Sequence, residues 1–180
     1  MMGGPRLVRV AERHARSYVA MLDDYARVGE PYGYNHPLAS VETARRDFAA
    51  FVHALDAEAA GEDRPPDAAR QITYVLECGD TVLGEFRFRP TISEPYDASS
   101  GHAGYNISPA WRGRGYATQG LTLLLVEARA WKLPGLLLTV SEDNTASRRT
   151  IEKNGGILLG SAADGDDLEL AYWLPVPVAD

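Results

Sequence analysis

The 180-residue sequence contains only one cysteine, Cys78, so no disulfide can form within the chain. The lack of a disulfide framework favours a cytoplasmic setting, and a chain of this length can rely on its hydrophobic core. No uninterrupted apolar run approaches the roughly 20 residues that span a bilayer. The first residues also lack the apolar segment of a signal peptide. We therefore expect a soluble cytoplasmic protein without a membrane partner.

Basic residues are in the minority, because 18 Lys and Arg stand against 25 Asp and Glu, for a formal net charge of −7. Nucleic-acid affinity comes largely from neutralising phosphates, so this balance argues against a nucleic-acid partner. An acidic surface suits a cationic partner such as an amine. Hydrophobic residues make up 45% of the chain and charged residues 24%, which is typical of a globular protein. The length predicts one domain over residues 1–180.

The spacing of apolar residues predicts an α/β domain. A strand at Leu7–Val10 precedes a helix at His14–Val28 and a second helix that Ser40 caps. After residue 70 the apolar period changes to two, and strands then alternate with helices. The later predicted elements are strands at Gln71–Glu77, Thr81–Arg89 and His102–Ser108, a helix at Arg114–Lys132, a strand at Leu136–Val140, a helix from Asn144 to Asn154, and strands at Ile157–Ser161 and Leu168–Leu174.

A glycine-rich turn, Arg112-Gly113-Arg114-Gly115, lies between a predicted strand and a long predicted helix. Glycine at 113 and 115 permits a positive φ or a close approach of a ligand to the backbone. The helix that follows presents N–H groups at the positive end of its dipole, which suits a phosphate. The turn is neither a Walker A loop nor a dinucleotide fingerprint. We predict an anion site to which Arg112 and Arg114 add mobile positive charge.

The same segment resembles a known family. The stretch Arg112–Ala117 matches the Gln/Arg-x-x-Gly-x-Gly/Ala signature of the GCN5-related N-acetyltransferase (GNAT) family. Asn144 and Glu152–Gly156 match two further markers, and Gly101–Tyr105 is similar to the fourth strand of bacterial small acetyltransferases. The resemblance covers roughly residues 81–174 as an acetyl-CoA-binding core, with the acceptor-side helices at about 12–57. It implies a single-domain α/β (α+β) fold whose mixed, mostly antiparallel sheet has a splayed fourth and fifth strand and helices on both faces.

The resemblance implies acetyl-CoA as the donor and no metal. Family members hold the pantetheine arm in the gap between the splayed strands. Carried over by position, Tyr105, Asn106 and Ile107 bind the pantetheine and the acetyl carbonyl through backbone groups, and Asn144 contacts the pantetheine. Asn144 is explained equally well as the N-cap of its helix. The predicted diphosphate turn consists of Arg112, Gly113, Arg114, Gly115, Tyr116, Ala117 and Thr118.

The sequence departs from the family at its familiar catalysts. Ile151 stands where many members carry a tyrosine acid, and Thr139 stands where some carry a glutamate base. Acyl transfer to an amine uses a base, an oxyanion donor and an acid. Ser147, one turn into its helix, is the best substitute donor, and its alternative is a helix-surface serine.

Glu85 is the candidate base, because strand alternation places it on the polar face of Thr81–Arg89, with Arg87 and Arg89. The opposite, apolar face is predicted to carry Val82, Phe86 and Phe88. The alternative for Glu85 is an ion pair with one of these arginines. His102 is the second candidate base because imidazole titrates near neutrality, and its alternative is a hydrogen bond to the backbone.

The resemblance implies an acceptor site walled by the first two helices, their connection and the loop after the third strand. A primary ammonium group suits carboxylates interleaved with aromatic rings. The substrate-binding candidates are Glu85, Tyr25, Tyr32, Tyr34, Asn35 and His36, joined by Glu94, Tyr96 and Asp97, whereas Asp23 and Asp24 are interpreted as a solvated helix face.

The sequence thus predicts an acetyl-CoA-dependent N-acetyltransferase that acts by direct attack in a ternary complex. The acceptor is a primary amine of a small molecule or a peptide, and the protein is a monomer or a homodimer. A non-catalytic acyl-CoA-binding module is the alternative, because Ile151 and Thr139 replace the familiar catalysts.

Overall fold

Two antiparallel sheets form the framework of the protein in a computed structural model, which describes residues 3–32, 39–62, 69–92, 101–164 and 167–177. The first sheet has the order β1-β2-β3-β4 and the second the order β5-β7-β6. The strands are β1 (Arg6–Arg9), β2 (Ile72–Cys78), β3 (Thr81–Phe88), β4 (Ala103–Ile107), β5 (Gly135–Ser141), β6 (Ile157–Asp164) and β7 (Asp167–Pro175).

Five α-helices pack on these sheets in the described part of the chain, and short 3-10 turns occupy Glu12–His14 and Pro109–Trp111. The helices are α1 (Ala15–Val28), α2 (Val41–Arg46), α3 (Phe48–Ala60), α4 (Tyr116–Ala130) and α5 (Thr145–Lys153). The predicted N-cap at Ser40 is confirmed, since its hydroxyl accepts the N–H of Thr43 at 3.1 Å. The single helix predicted after Ser40 is interrupted at Asp47, whose carboxylate caps α3 by accepting the N–H of Ala50 at 3.0 Å.

Helices cover both faces of the first sheet, and each face has its own hydrophobic cluster. Helices α1, α2 and α3 bury Tyr18, Leu22 and Phe51 against Val75 and Val82. On the opposite face, the cluster of α4 and α5 includes Leu121, Leu124 and Ile151 with Phe86, and it continues under the second sheet. The predicted arrangement of helices on both faces is therefore confirmed for the first sheet.

A β-bulge in β3 overturns one predicted face. The pairing steps from Leu76–Gly84 to Glu77–Val82, so Leu83 is an extra residue and the alternation of side chains shifts there. Val82 consequently packs with Val75 under α1, whereas Leu83, Phe86 and Phe88 face α4. The prediction that Val82 shares a face with Phe86 and Phe88 is wrong, because strand alternation from sequence assumes an unbroken ladder.

The two sheets meet at Gly101 and His102. The backbone N–H of His102 donates to the carbonyl oxygen of Leu137 at 2.7 Å, and the N–H of Leu137 donates to His102 Nδ1 at 2.9 Å. Gly101 has φ +63°, and a Cβ there would lie 2.5 Å from the Leu137 oxygen, so glycine is required at this contact. Beyond this junction β4 and β5 separate, as predicted, and a cavity of about 490 Å³ opens between them.

Candidate functional site

The turn before α4 has the backbone conformation that its glycines suggested. Gly113 and Gly115 have φ values of +72° and +79°, in the left-handed region that favours glycine. A Cβ built at either position would meet nothing within 4 Å. Glycine is therefore needed here for its φ, and the space in front of the turn is open to a ligand.

The N–H groups of residues 113–118 all remain available. None of them donates to another described residue, and those of Tyr116, Ala117 and Thr118 lie in the first turn of α4, where no intrahelical acceptor exists. They lie at the positive end of the helix dipole. The turn thus has the donors and the field of an anion site, such as one for a diphosphate.

Arg112 is held in place by hydrogen bonds and is not the mobile cation that the sequence predicted. Its two terminal nitrogens bind the carboxylate of Glu30 at 2.9 and 2.7 Å, and its Nε donates to the carbonyl oxygen of Ile107 at 3.1 Å. Arg112 therefore braces the end of β4 against the end of α1. Arg114 lies over the ring of Trp111, 4.9 Å from its centroid.

The strand β4 presents one of its three predicted backbone contacts to the cavity. In an antiparallel pair, successive residues point their backbone groups alternately toward and away from the partner strand. The hydrogen bond from Ser108 N–H to Leu83 O sets this alternation, so Asn106 is bonded to β3 and Tyr105 faces the cavity. The carbonyl of Ile107 is already taken by the Tyr25 hydroxyl at 2.9 Å and by Arg112. The predicted backbone role of Asn106 is therefore not supported by this geometry, and Ile107 offers only its N–H group on the side that Tyr105 faces.

The side chain of Tyr105 reaches the candidate proton donor, Ser147. Its hydroxyl lies 2.7 Å from Ser147 Oγ, and its ring stacks on Phe86 with centroids 5.4 Å apart. Burial raises the pKa of Tyr105 above its usual range, so the phenol keeps its proton near neutrality. Asn144 caps α5 by accepting the N–H of Ser147 at 3.0 Å, which fixes the helix start where Ser147 lies.

The candidate base Glu85 is enclosed, with a side-chain exposure of 0%. The Tyr18 hydroxyl donates to its carboxylate, the Tyr32 hydroxyl lies 3.0 Å from that of Tyr18, and Arg87 Nε is 3.7 Å from Glu85 Oε1. Burial raises the pKa of Glu85 above its usual value, and the charge of Arg87 opposes that change. The ion pair weighed from the sequence is therefore present, and Glu85 does not line the cavity between β4 and β5.

That cavity brings together residues from both sheets and from α5. Its walls include Tyr105, Thr139, Asn144, Ser147, Ile151 and Glu169. Sequence reasoning missed Glu169, which pairs with Ser141 across β5 and β7 and so reaches the cavity beside Thr139. The alternation of apolar and polar residues in the sequence shows that Glu169 points away from the face that Leu168 and Leu170 share. That Glu169 reaches the gap between β4 and β5 depends on the pairing of β7 with β5, which the sequence does not show.

The second candidate base, His102, helps to join the two sheets and does not line the cavity. Its Nδ1 accepts the N–H of Leu137 at the junction of the sheets, outside the walls of the cavity. Burial lowers the pKa of His102, which keeps the ring neutral and suited to this acceptor role. The backbone hydrogen bond weighed from the sequence is thus observed.

Two aromatic candidates of the acceptor site, Tyr25 and Tyr32, lie within the described residues. The Tyr32 ring packs edge-on to the rings of Tyr18 and Tyr25. Tyr34, Asn35, His36, Glu94, Tyr96 and Asp97 lie outside the described residues. Asp23 pairs with Arg45 at 2.6 Å, and Asp24 accepts from the Ser108 hydroxyl at 2.6 Å. Asp24 is therefore not part of a solvated helix face, as the sequence suggested, because its hydrogen bond with Ser108 joins the end of β4 to α1.

The described ranges contain no group of three or more His, Cys, Asp or Glu side chains that could hold a metal ion. Within the same ranges, no helix is long and apolar enough to cross a membrane.

Comparison of the sequence with known protein families shows which family the chain belongs to. Residues 6–157 match the acetyltransferase (GNAT) domain family. The chain therefore belongs to the GNAT family, and it is an acetyl-CoA-dependent N-acetyltransferase. No curated protein matches the sequence.

Solved bacterial acetyltransferases share the fold. RimJ of Mycobacterium smegmatis, solved with CoA-disulfide, is 20% identical with a TM-score of 0.72 over 95% of this chain and 81% of that one. The ribosomal-protein-S5-alanine acetyltransferase of Vibrio fischeri is 11% identical, with a TM-score of 0.69 over 98% and 95%. The Salmonella typhimurium enzyme that modifies the N-terminal serine of ribosomal protein L7/L12 is 16% identical, with a TM-score of 0.64 over 97% and 96%.

Proposed function

We propose that the protein transfers the acetyl group of acetyl-CoA to a primary amine of a small molecule or a peptide, by direct attack within a ternary complex. The observation that carries this proposal is the cavity between β4 and β5, which a hydroxyl pair and a carboxylate line. One wall is β4, whose Tyr105 backbone groups point away from β3, and the chain leads from β4 into the start of α4, where N–H groups suit an anion. This combination supports a thioester donor with a diphosphate.

The chain's own groups fit that donor. The N–H groups of Gly113, Arg114, Gly115, Tyr116, Ala117 and Thr118 would hold the diphosphate, and the backbone of Tyr105 would hold the pantetheine beside Asn144. Bound there, acetyl-CoA supplies an activated acetyl thioester. Arg112 would contribute by fixing the turn through Glu30, since its charge is already engaged.

Ser147 is the proposed proton donor to the leaving sulfur. When Tyr105 donates to Ser147 Oγ, the hydroxyl hydrogen of Ser147 is available to a group in the cavity. A chain of two hydroxyls strengthens each hydrogen bond in it. The raised pKa of Tyr105, caused by burial, keeps the phenol protonated near neutrality, so that it has a hydrogen to donate.

Glu85 remains the proposed base, but only through a relay. Its carboxylate is fully buried and contacts the hydroxyls of Tyr18 and Tyr32, so a proton that reaches Glu85 passes through these hydroxyls or through water. Its raised pKa suits a group that accepts a proton near neutrality. Tyr32 would then both border the acceptor and conduct its proton.

The acceptor class is proposed from the residues and from the names of the structural neighbours. Two of those neighbours act on ribosomal proteins, one of them on an N-terminal serine. Another structural neighbour is named as an N-acetyltransferase of phosphinothricin, a small molecule. Both kinds of primary amine therefore belong in the test.

The test is release of the CoA thiol from acetyl-CoA in the presence of a panel of amines. The panel contains amidated peptides with a free N-terminus, free amino acids and polyamines. We expect at least one amine to raise thiol release well above hydrolysis, with one acetyl group transferred per thiol by mass spectrometry. Tight binding of acetyl-CoA without turnover on any amine would instead support a non-catalytic acyl-CoA-binding module.

A further inference from the structure

Helix α5 ends on a side-chain contact with the first turn of α4. The amide nitrogen of Asn154 donates to the carbonyl oxygen of Thr118 at 3.3 Å, and its amide oxygen accepts the hydroxyl of Thr122 at 2.7 Å. The same nitrogen donates to the carbonyl oxygen of Thr150, within α5, at 2.9 Å. One side-chain amide therefore bonds to two helices at once.

The Asn154 amide matches the groups around it. A primary amide has two N–H donors and an acceptor oxygen, and here the donors meet two carbonyl oxygens while the oxygen meets a hydroxyl. A carboxylate of the same shape would lack the donors. The sequence alone explains Asn154 as the end of a helix, because Gly155 follows it with φ +88°. A helix end does not require the contacts with α4.

Thr122 completes the contact from the side of α4. Its hydroxyl lies 2.9 Å from the carbonyl oxygen of Thr118 and 2.7 Å from the Asn154 oxygen. The Thr122 side chain is exposed, and that of Asn154 is half-buried. The contact thus consists of hydrogen bonds at the rim of the interface between α4 and α5. Such bonds fix direction as well as distance.

The first turn of α4 is the part of the helix whose N–H groups form the proposed diphosphate site, and Thr118 belongs to it. A hydrogen bond to the Thr118 carbonyl holds this turn at one place on α5. Hydrogen bonds weaken steeply when their angles are poor, so several N–H groups can serve one diphosphate only while the turn keeps its position. Asn154 is therefore placed to set the geometry of the diphosphate site without contacting the diphosphate.

Helix α5 carries the proposed proton donor near its other end. Ser147, Ile151 and Asn154 follow one another at i, i+4 and i+7, so they lie along one side of the helix. Ser147 and Ile151 line the cavity between β4 and β5. Asn154 lies about 10 Å beyond Ser147 along the helix axis, given a rise of about 1.5 Å per residue. The helix thus joins the proposed place of the thioester to that of the diphosphate.

We propose that Asn154, together with Thr122, is a positioning residue that holds the diphosphate turn against α5. This inference rests on the proposed function, because it takes the turn before α4 as the diphosphate site. Loss of the contact should then weaken the binding of ligands that have a diphosphate and spare a ligand that has none. A purely structural role would not distinguish between these ligands.

The test measures binding by isothermal titration calorimetry without an acceptor, so that it does not depend on turnover. The probes are CoA, dephospho-CoA, which keeps the diphosphate, and pantetheine, which lacks it and is measured by competition with CoA. The variants are Asn154→Ala, Thr122→Val and the two combined. The matched control is Asp47→Ala, which removes the capping hydrogen bond of α3 on the opposite face of the first sheet.

We expect Asn154→Ala to weaken CoA and dephospho-CoA by about five- to tenfold, while pantetheine stays within about twofold of its native affinity. Thr122→Val should weaken CoA by about twofold, since the Asn154 nitrogen still bonds to the Thr118 carbonyl. The combined variant should match Asn154→Ala alone, because both side chains act through one contact. Asp47→Ala should lower the melting temperature and leave CoA affinity unchanged.

Native affinity for CoA in Asn154→Ala would overturn the inference, and so would equal losses for CoA and pantetheine. Losses that add up in the combined variant would overturn the joint role of Thr122. If Asn154→Ala does not fold, the isosteric change Thr122→Val decides, and unchanged CoA affinity in it would then overturn the inference. Asn154-dependent CoA binding without thiol release on any amine would contradict the proposed transfer reaction and leave this inference in place.

Discussion

Each of the two sheets carries one glutamate of interest, and the two glutamates differ in how deeply they are buried. In the first sheet, helices cover both faces, and Glu85 is enclosed between β3 and α1, in contact with Tyr18. In the second sheet, α5 covers one face, and Glu169, on the other, lies half-buried along the cavity between β4 and β5. The comparison shows that the packing of helices on a sheet face, more than residue type, decides how deeply a carboxylate on that face is buried.

The difference has a chemical consequence for each group. Burial raises the pKa of Glu85, so its charged form costs free energy in the folded protein. Such a group can store a proton that hydroxyls deliver, but it cannot contact an amine. Glu169 is half-buried and lines the gap between the sheets, which also carries the proposed proton donor.

The largest expected effect is at that gap. Ser147→Ala should lower the turnover number about 100-fold, because it removes the proposed proton donor. Tyr105→Phe should lower it about tenfold, because the ring still stacks on Phe86 but no longer orients Ser147. Both are measured by thiol release at saturating substrates, with acetyl-CoA affinity followed separately.

Thr145→Ala, on the exposed first turn of the same helix, is the matched control and should retain full turnover. Unchanged turnover in Ser147→Ala would show that the gap between the sheets does not supply the acid. Equal losses of turnover and acetyl-CoA affinity would show that Ser147 binds the donor and does not protonate it.

A second effect is expected in the turn that precedes α4. Gly115→Val should weaken acetyl-CoA binding by about tenfold or more, because a β-branched residue at φ +79° is strained and shifts the N–H groups of the turn. Calorimetric titration with acetyl-CoA measures the change.

Gly29→Val provides the control for strain alone, since Gly29 has φ +70° and equally open surroundings at the end of α1. We expect it to lower the melting temperature similarly while leaving acetyl-CoA affinity unchanged. Similar affinities in both variants would contradict a specific role for the turn.

The pH dependence of folding stability distinguishes the buried Glu85 from the half-buried Glu169. Because burial raises the pKa of Glu85, the folded protein binds this proton more tightly than the unfolded chain, and stability falls as pH rises from about 4.3 through the raised value. Glu85→Gln removes this loss. The melting temperature of the variant should therefore rise relative to that of the native chain as pH increases from 5 to 8.

Thermal melts of both proteins across that range check the prediction, with Glu169→Gln as the half-buried comparison. A difference between the native chain and Glu85→Gln that does not change with pH would show that Glu85 does not titrate in this window. Turnover of Glu85→Gln, measured alongside, tests its role as the relayed base.

The smallest expected effect is at the junction of the sheets. Burial lowers the pKa of His102, so this residue contributes stability above its usual pKa of about 6.5, and the contribution is lost as pH falls through the lowered value. His102→Asn keeps an acceptor for the Leu137 N–H without a titrating ring. The native chain should therefore lose about 1–2 °C more than the variant on acidification from pH 7.5 to 5.5. Parallel acid dependence of the two melting temperatures would contradict this.

Local patterns predicted the secondary-structure elements and the backbone conformation of the turn before α4 well. Apolar spacing identified the strands and helices, Ser40 was recognised as an N-cap, and the positive φ values of Gly113 and Gly115 follow from glycine's lack of a Cβ. The break at Asp47 was missed because helix-forming residues continue on both sides of it, and only its capping hydrogen bond shows the interruption.

Features that depend on pairing between distant strands were not predictable from spacing. The bulge at Leu83 moves Val82 to the other face, and it exists only because β2 and β3 pair with unequal numbers of residues. Glu169 reaches the cavity only through its register with Ser141, which lies 28 residues earlier in the chain. The engagement of Arg112 with Glu30 likewise joins residues far apart in sequence.

The central claim is that acetyl-CoA lies in the gap between β4 and β5 with its diphosphate on the turn before α4. Amide hydrogen exchange with and without acetyl-CoA tests it directly. We expect slower exchange at residues 113–118 and at Tyr105 when acetyl-CoA is bound, and unchanged exchange in β1 and β2. Saturation with acetyl-CoA without protection of residues 113–118 would contradict it.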